Sequence, residues 1–163
     1  MLNSMMQKYR RKGILIDTNL LIGLLVGILD PSHLHHCRAT KAFTQDDFDL
    51  LFRFVGQFQS VITTPHILTE VSNLAGRLPD NLTSDFRRVF TRAVEKWFEK
   101  QVPALKIVRD DSFLRLGLTD TAIGMTVPGS FLVLTDELQL YRVLCERNID
   151  VINFNHIRSL GWA

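Results

Sequence analysis

The chain has 163 residues, of which 46% are hydrophobic and 22% are charged, and its formal net charge is +2 at pH 7. This length is sufficient for one domain with a sizeable core, and the composition is ordinary for a globular protein. The small positive charge excludes a histone-like polycation, but it neither requires nor excludes nucleic acid as a partner.

The cysteine content and the hydropathy pattern favour a cytoplasmic protein. Only Cys37 and Cys145 occur, and we expect both to be buried, reduced thiols rather than part of a disulfide framework. The apolar stretch after the basic residues 10–12 imitates a signal peptide, but Asp17 interrupts it. Its uninterrupted part, residues 20–29, is shorter than the roughly 20 apolar residues that span a bilayer. We therefore predict a cytoplasmic protein with no membrane partner.

The first predicted strand ends in a charged residue. Ile14-Leu15-Ile16 is wholly apolar, which is typical of a strand buried on both faces of a parallel sheet. Asp17 follows at once, and a carboxylate there is costly unless it is hydrogen-bonded, paired or bound to a metal. Because ligands bind at the carboxyl ends of strands in open α/β sheets, Asp17 is the first candidate functional residue.

Predicted helices and strands alternate along the rest of the chain. Helices are predicted from Asn19 to Leu29, over residues 45–58, from Pro65 to about Gly76, over residues 85–101 with Ser84 as cap, within residues 114–127 from about Thr119, and after Asp136. Strands are predicted at residues 61–63, 105–108, 131–134 and 151–154. Such alternation implies parallel crossovers. We predict one domain over residues 1–163, with an α/β fold: a three-layer α/β/α sandwich around a mainly parallel sheet.

Three further acids are expected to meet Asp17. Asp136 follows a second apolar strand as Asp17 follows the first, and parallel strands end at the same edge of a sheet. Glu70 and Asp120 lie near the starts of helices that begin at this edge. Four converging carboxylates repel each other, and a divalent cation relieves that repulsion. An all-oxygen ligand set favours Mg²⁺ or Mn²⁺ over zinc.

With these motifs the chain resembles the PIN-domain family of metal-dependent nucleases over nearly its whole length. The matching segments are Asp17-Thr18-Asn19 after the opening strand, Pro65 to Glu70, Asp120-Thr121-Ala122-Ile123, and Leu134-Thr135-Asp136. The resemblance implies a PIN-like sandwich with catalytic Asp17, Glu70, Asp120 and Asp136. It further implies Asp17, Asp120 and Asp136 as metal ligands. We expect Thr18, Asn19 and Thr135 to orient the carboxylates by hydrogen bonds.

The function implied by the resemblance is a Mg²⁺- or Mn²⁺-dependent ribonuclease that cleaves phosphodiester bonds in single-stranded or structured RNA. Members of this kind include toxins of toxin–antitoxin pairs, so an antitoxin partner and a homodimer are implied as well. A scaffold of the same fold, which binds RNA or protein without strong catalysis, is the main alternative. A dehalogenase-type phosphatase would need an acid where Asn19 stands. A receiver domain would need an aspartate at the end of strand 61–63, where none occurs.

Each acid also has a purely structural interpretation. Asp17 can cap the helix that follows it, and Asp136 with Gln139 has the spacing of a capping box. Asp120 can complement a helix N-terminus electrostatically, and Glu70 can be a solvated helix residue. These interpretations do not explain why all four acids belong to one edge of the predicted sheet.

Two other clusters are candidates for binding. On the predicted helix 85–101, Arg88, Arg92 and Lys96 recur every four residues and could contact RNA, although a solvated helix face also produces such a row. The segment His33-Leu34-His35-His36-Cys37 contains zinc-ligand residue types but lacks a second pair at zinc-finger spacing. We interpret it as a loop of surface histidines.

Overall fold

A five-stranded parallel sheet forms the centre of the structure, a computed structural model that describes residues 2–126 and 129–161. The strands are β1 Ile14–Ile16, β2 Val61–Thr63, β3 Phe98–Glu99, β4 Leu132–Thr135 and β5 Val151–Asn153. All neighbouring pairs are parallel, in the order β3-β2-β1-β4-β5. The predicted three-layer α/β/α sandwich is therefore confirmed, with β1 as the central strand.

Helices connect the strands and flank the sheet, as parallel crossovers require. They are α1 Leu2–Tyr9, α2 Thr18–Leu29, α3 Gln45–Val55, α4 Pro65–Ala75, α5 Asp80–Val94, α6 Ala104–Ile107, α7 Phe113–Thr126, α8 Leu138–Glu146 and α9 Phe154–Ser159. Two short 3₁₀ helices, Pro31–His36 and Arg38–Thr40, follow α2. In the parts of the chain that the structure describes, none of these helices has the length and apolar character needed to cross a membrane.

The core lies against both faces of the central strands. Every residue of β1 and β4 is buried, which accounts for their uninterrupted apolar sequences. The helix α2 is almost as apolar, and it buries most of its residues against α3, α4, α5 and the two 3₁₀ helices. Because β1 and α2 are adjacent in sequence, their junction at Asp17 is fixed by packing on both sides.

The start of α4 follows the local sequence signals. Thr64 is the N-cap, and its side-chain oxygen accepts a hydrogen bond from the Ile67 amide at 3.2 Å. Pro65 occupies the first turn, where its missing N–H is not needed. The helix ends before Gly76, so the predicted helix is confirmed at both ends, and Glu70 has a fixed position within it.

The region around residues 80–108 departs from the prediction. Instead of one helix over residues 85–101, α5 runs from Asp80 to Val94, and Ser84 lies inside it. Phe98 belongs to the edge strand β3, paired with Ile62. The pairing with β2 overrides the helical period of the sequence, since strand formation depends on the partner strand. The predicted strand at 105–108 is wrong, because residues 104–107 form the short helix α6. Pro103 immediately precedes this helix, where a proline is compatible with a helix start.

Three smaller differences complete the comparison. The helix α1 was not predicted; it is attached to the strand layer by a 2.7 Å hydrogen bond from the Tyr9 hydroxyl to Asp150. Cys145 is exposed rather than buried, while Cys37 is buried, and both are free thiols. The end of the helix predicted over 114–127 reaches Val127, which lies outside the described residues.

Gly13 is expected to be intolerant of alanine. Its φ is +111°, and a Cβ there would lie 2.3 Å from Ile62 Cδ1 and 2.8 Å from the Ser60 carbonyl oxygen. Backbone strain and overlap should lower the free energy of unfolding of Gly13→Ala by about 1–3 kcal/mol, measured by urea denaturation. Gly161→Ala is the matched control, because Gly161 also has a positive φ of +56° but no atom within 4 Å of its Cβ position. Equal losses in the two variants would show that the overlap at Gly13 has no effect.

Candidate active site

Asp17 and Asp136 meet where β1 and β4 end. The two strands are paired, with Ile16 opposite Leu134, and the amide of Asp17 donates to the Leu134 carbonyl at 3.0 Å. One carboxylate oxygen of Asp17, Oδ2, accepts hydrogen bonds from the Thr135 hydroxyl and from the Asp136 amide, the latter at 3.1 Å. Strand pairing therefore brings both predicted acids to one point.

Asp17 also caps α2. Its Oδ1 accepts a hydrogen bond from the Leu20 amide at 3.1 Å. The interpretation of Asp17 as the cap of the following helix is therefore confirmed. Only 4% of Asp17 is exposed. The residue thus has a capping role and, at the same time, a buried carboxylate at the carboxyl edge of the sheet.

The electrostatic environment of this pair is unfavourable for two negative charges. Burial raises the pKa of Asp17 to about 8, with a further contribution from the charge of Asp136, while the hydrogen bonds from Thr135, Leu20 and Asp136 act in the opposite direction. Burial also raises the pKa of Asp136. The Oδ1 atom of Asp136 is buried and has no hydrogen-bond partner within the described residues. A buried polar atom without a partner is costly unless something outside the chain binds it.

The capping-box interpretation of Asp136 is wrong. Helix α8 begins at Leu138 after Glu137, and no side chain caps its first turn. The side chain of Gln139 instead donates to the Arg115 carbonyl at 3.0 Å. Capping therefore does not account for the acid at this position.

Glu70 is held by two threonine hydroxyls from different helices. Thr18 donates to its Oε2 at 2.9 Å, and Thr119 donates to its Oε1 at 2.7 Å. These bonds join the start of α2 and the part of α7 after Gly117 to α4. They fix the carboxylate although Glu70 is exposed. A merely solvated helix residue would not have both oxygens bound in this way.

Asp120 lies in a second acidic group, with Glu70 and Glu137. Burial raises the pKa of Asp120 to about 7, and the negative charges of Glu137 and Glu70 add to the effect. The helix α7 is interrupted just before this residue, at Gly117, whose φ of 75° and ψ of −170° favour glycine. The helical part that carries Asp120 therefore starts close to Thr119, as the sequence predicts.

A pocket of about 310 Å³ connects these groups. Its lining consists of Asp17, Thr18, Asn19, Glu70, Leu116, Gly117, Leu118, Thr119, Asp120 and Glu137. Three of the four predicted acids line it. The fourth, Asp136, is not among the lining residues, although its amide hydrogen-bonds to Asp17. The pocket is open to solvent and its charged lining residues are all acidic, so a small cation can enter it.

The predicted orienting residues act differently from one another. Thr135 hydrogen-bonds to Asp17, and Thr18 hydrogen-bonds to Glu70. Asn19 lines the pocket and is exposed. Thr135 and Thr18 therefore hold different acids, whereas Asn19 makes no hydrogen bond to an acid among the described residues.

Sequence reasoning gave too little weight to two residues. Glu137 is not among the predicted acids, although it follows Asp136 directly and lines the pocket beside Asp120. Thr119 was noted only as a helix start, although its hydroxyl binds Glu70. The only signal for either was its position next to a candidate acid.

The carboxylates are not preassembled as a metal centre. Across residues 2–126 and 129–161, no three Asp, Glu, His or Cys side chains are close enough to hold one metal ion. Asp17 and Asp136 form one group, and Glu70, Asp120 and Glu137 form another. The donor atoms nevertheless suit a hard cation, because all of them are carboxylate oxygens. One of them, Asp136 Oδ1, is buried and has no hydrogen-bond partner among the described residues.

The predicted RNA-contacting row does not belong to this pocket. Arg88 and Arg92 lie on α5, whereas Lys96 follows the end of that helix. Arg88 pairs with Asp85 at 3.1 Å, and Arg92 and Lys96 line a separate apolar groove. The histidine segment does not line the acidic pocket either. His33 and His36 lie in a 3₁₀ helix, and their ring centroids are 5.3 Å apart.

No protein-family model, curated protein or solved structure matches this chain. The functional argument therefore rests on the geometry and electrostatics of the acidic pocket and on the sequence motifs.

Asp120→Asn is expected to flatten the pH dependence of stability in metal-free buffer. The pKa of Asp120 is about 7 in the folded protein, against an ordinary value of 3.8. Between these values the unfolded chain releases a proton that the folded chain retains, so stability falls as the pH rises. One pKa unit is worth about 1.4 kcal/mol, and partial exposure reduces the total to about 1–3 kcal/mol. The variant should gain this amount near pH 8 and nothing near pH 3.5, by urea denaturation with EDTA.

Asp46→Asn is the matched control for this measurement. Asp46 is exposed in the first turn of α3, and the variant should retain the pH dependence of the wild type. An unchanged slope in Asp120→Asn would show that this carboxyl is ionised in the folded protein at neutral pH.

Proposed function

We propose that this protein is a metal-dependent ribonuclease of the PIN type, which uses Mg²⁺ or Mn²⁺ and its acidic pocket to hydrolyse RNA. The observation that carries the proposal is the buried pair at the ends of β1 and β4. There the pKa of Asp17 is raised to about 8 and Oδ1 of Asp136 has no partner among the described residues. Strongly perturbed acids in a cleft are typical of functional sites.

Asp17, Asp120 and Asp136 are the proposed metal ligands. A bound Mg²⁺ lowers the pKa of a water molecule and neutralises charge on a phosphate. Burial, together with nearby negative charge at Asp17 and Asp120, raises the carboxyl pKa values, and a bound cation would favour the ionised carboxylates. Because the acids form two groups, binding of one ion by all three ligands requires a side-chain rotation that brings Asp120 towards Asp17 and Asp136.

The chain's own residues have distinct roles in this proposal. Thr135 and the Asp136 amide hold Asp17 in one orientation. Thr18 and Thr119 hold both oxygens of Glu70, which leaves its remaining lone pairs to orient a water molecule. Asp120 and Glu137 also line the pocket, where Asp120 would bind the cation in its ionised form beside the carboxylate of Glu137.

A non-catalytic scaffold of the same fold is the second candidate. One observation favours it: no three candidate ligands are close enough to hold a metal within the described residues. Such a protein would bind RNA or another protein through the same edge and leave it intact. Action as a toxin, an antitoxin partner and a homodimer are parts of the first proposal that rest on the family resemblance alone. A cytoplasmic location rests on the cysteine content and the hydropathy pattern.

Chelator-sensitive cleavage tests the enzyme against the scaffold. Purified protein is incubated with end-labelled single-stranded RNA, first with Mg²⁺ or Mn²⁺ and then with excess EDTA. We expect cleavage only with the metal, and a loss of at least about 100-fold in Asp17→Asn because a direct ligand is removed. Asp46→Asn should cleave at the wild-type rate. Intact RNA in all wild-type reactions supports the scaffold, and wild-type cleavage by Asp17→Asn contradicts the proposed ligand set.

Metal binding is measurable without catalysis. Mg²⁺ or Mn²⁺ should raise the Tm of the wild-type protein in a concentration-dependent manner, because the cation binds the folded state only. The rise should be greater near pH 8 than near pH 5, where protons compete for Asp17 and Asp120. Asp17→Asn should retain a cooperative melt but lose most of the metal-dependent shift, whereas Asp46→Asn should keep it. Equal shifts in both variants would place the cation elsewhere.

A further inference from the structure

An apolar groove separate from the acidic pocket lies between α2, α3 and α5. Its volume is about 390 Å³, and it is lined by Leu24, Ile28, Phe52, Val55, Gly56, Val61, Val89, Arg92, Ala93, Lys96 and Trp97. None of these residues lines the acidic pocket. Asn19 and Ile28 lie near opposite ends of α2, about 14 Å apart along its axis, so an occupant of the groove does not cover the acids.

The groove exposes large apolar side chains. Phe52 is 53% exposed and Ile28 is 45% exposed, and the half-buried Trp97 lies beside them. Single exposed apolar residues are normal on a protein surface, but a contiguous concave set marks a binding site. The volume lies within the range of pockets that bind a ligand or several side chains of a partner.

The only charges among the lining residues are positive. Arg92 and Lys96 are both exposed, and neither has an ion pair with another described residue. Arg88, one turn earlier on α5, is instead paired with Asp85 at 3.1 Å. The two cations at the groove therefore favour acidic groups on whatever binds there.

From this apolar lining and its two unpaired cations, we propose that the groove binds an amphipathic helical segment of a partner protein. The segment has apolar residues on one face and Asp or Glu beside them. Helices form the walls of the groove, and a helix packs its ridges between those of its neighbours. The apolar face covers Ile28, Phe52 and Trp97, while the acids pair with Arg92 and Lys96.

The composition of the groove favours protein over RNA. Single-stranded RNA sites combine tracks of several cations with aromatic platforms. Here most lining residues are aliphatic, and only two cations are present. This inference does not depend on the proposed nuclease, because it concerns different residues and a binding event that requires no catalysis.

Charge-matched peptides test the proposal. Two synthetic helical peptides of about four turns share leucines at helical spacing and carry either Glu or Lys beside them. Each is titrated into the full-length protein with EDTA, and amide and indole NMR shifts are recorded. We expect the Glu peptide to shift groove resonances, including the Trp97 indole, and to bind at least about tenfold more tightly than the Lys peptide.

A charge reversal supplies the control. Arg92→Glu with Lys96→Glu should reverse the preference between the peptides, whereas Arg88→Glu, on the same helix outside the groove, should keep it. Because all three residues are exposed, the variants should fold, and thermal melts verify this. Equal binding of both peptides, no binding of either, or shifts away from the groove would overturn the proposal. So would oligouridylate shifting the same resonances more strongly, which would identify a nucleic-acid site.

Discussion

The buried carboxylate of Asp17 connects the framework of this protein to its candidate site. Three donors converge on it: the Leu20 amide from α2, the Asp136 amide after β4, and the Thr135 hydroxyl at the end of β4. These bonds join the central strand, its neighbour and the first crossover helix at one point. They favour the ionised carboxylate, whereas burial and Asp136 favour the neutral acid, and the balance is a pKa of about 8. Near neutral pH the carboxyl of Asp17 can therefore lose its proton when a cation binds, or keep it when none is present.

The rest of the pocket is organised around Glu70 in a comparable manner. Two hydroxyls from α2 and α7 fix a carboxylate that is otherwise exposed, so its position depends on three helices at once. Asp120 and Glu137 then face a rigid negative charge. The site thus combines two fixed acids, Asp17 and Glu70, with others that can adjust. Because burial raises the pKa values of Asp17 and Asp120, a cation that binds here must displace protons from them near neutral pH.

The sequence predicted those elements whose signals are local. The strands β1 and β4 can be predicted from their apolar runs without knowledge of the neighbouring strands. The two residues Thr64 and Pro65 are sufficient to predict the start of α4. The meeting of Asp17 with Asp136 followed from topology alone, because parallel strands share an edge. The two-residue strand β3 could not be found in this way, since it exists only through its pairing with β2. The threonine pair on Glu70 was equally hidden, because residues 18 and 119 become neighbours only in the fold.

The basic row shows how a wrong helix boundary changes a functional argument. A helix over residues 85–101 would align Arg88, Arg92 and Lys96 on one face, as for a phosphate track. Because α5 ends at Val94, Lys96 does not continue the helical row. Arg88 is in a local ion pair with Asp85, and Arg92 and Lys96 line an apolar groove with Trp97. The same residues therefore fit a different partner. Since α2 is buried along most of its length, its two ends can present the acids and the groove independently, so the surface that binds a partner need not be the surface that does chemistry.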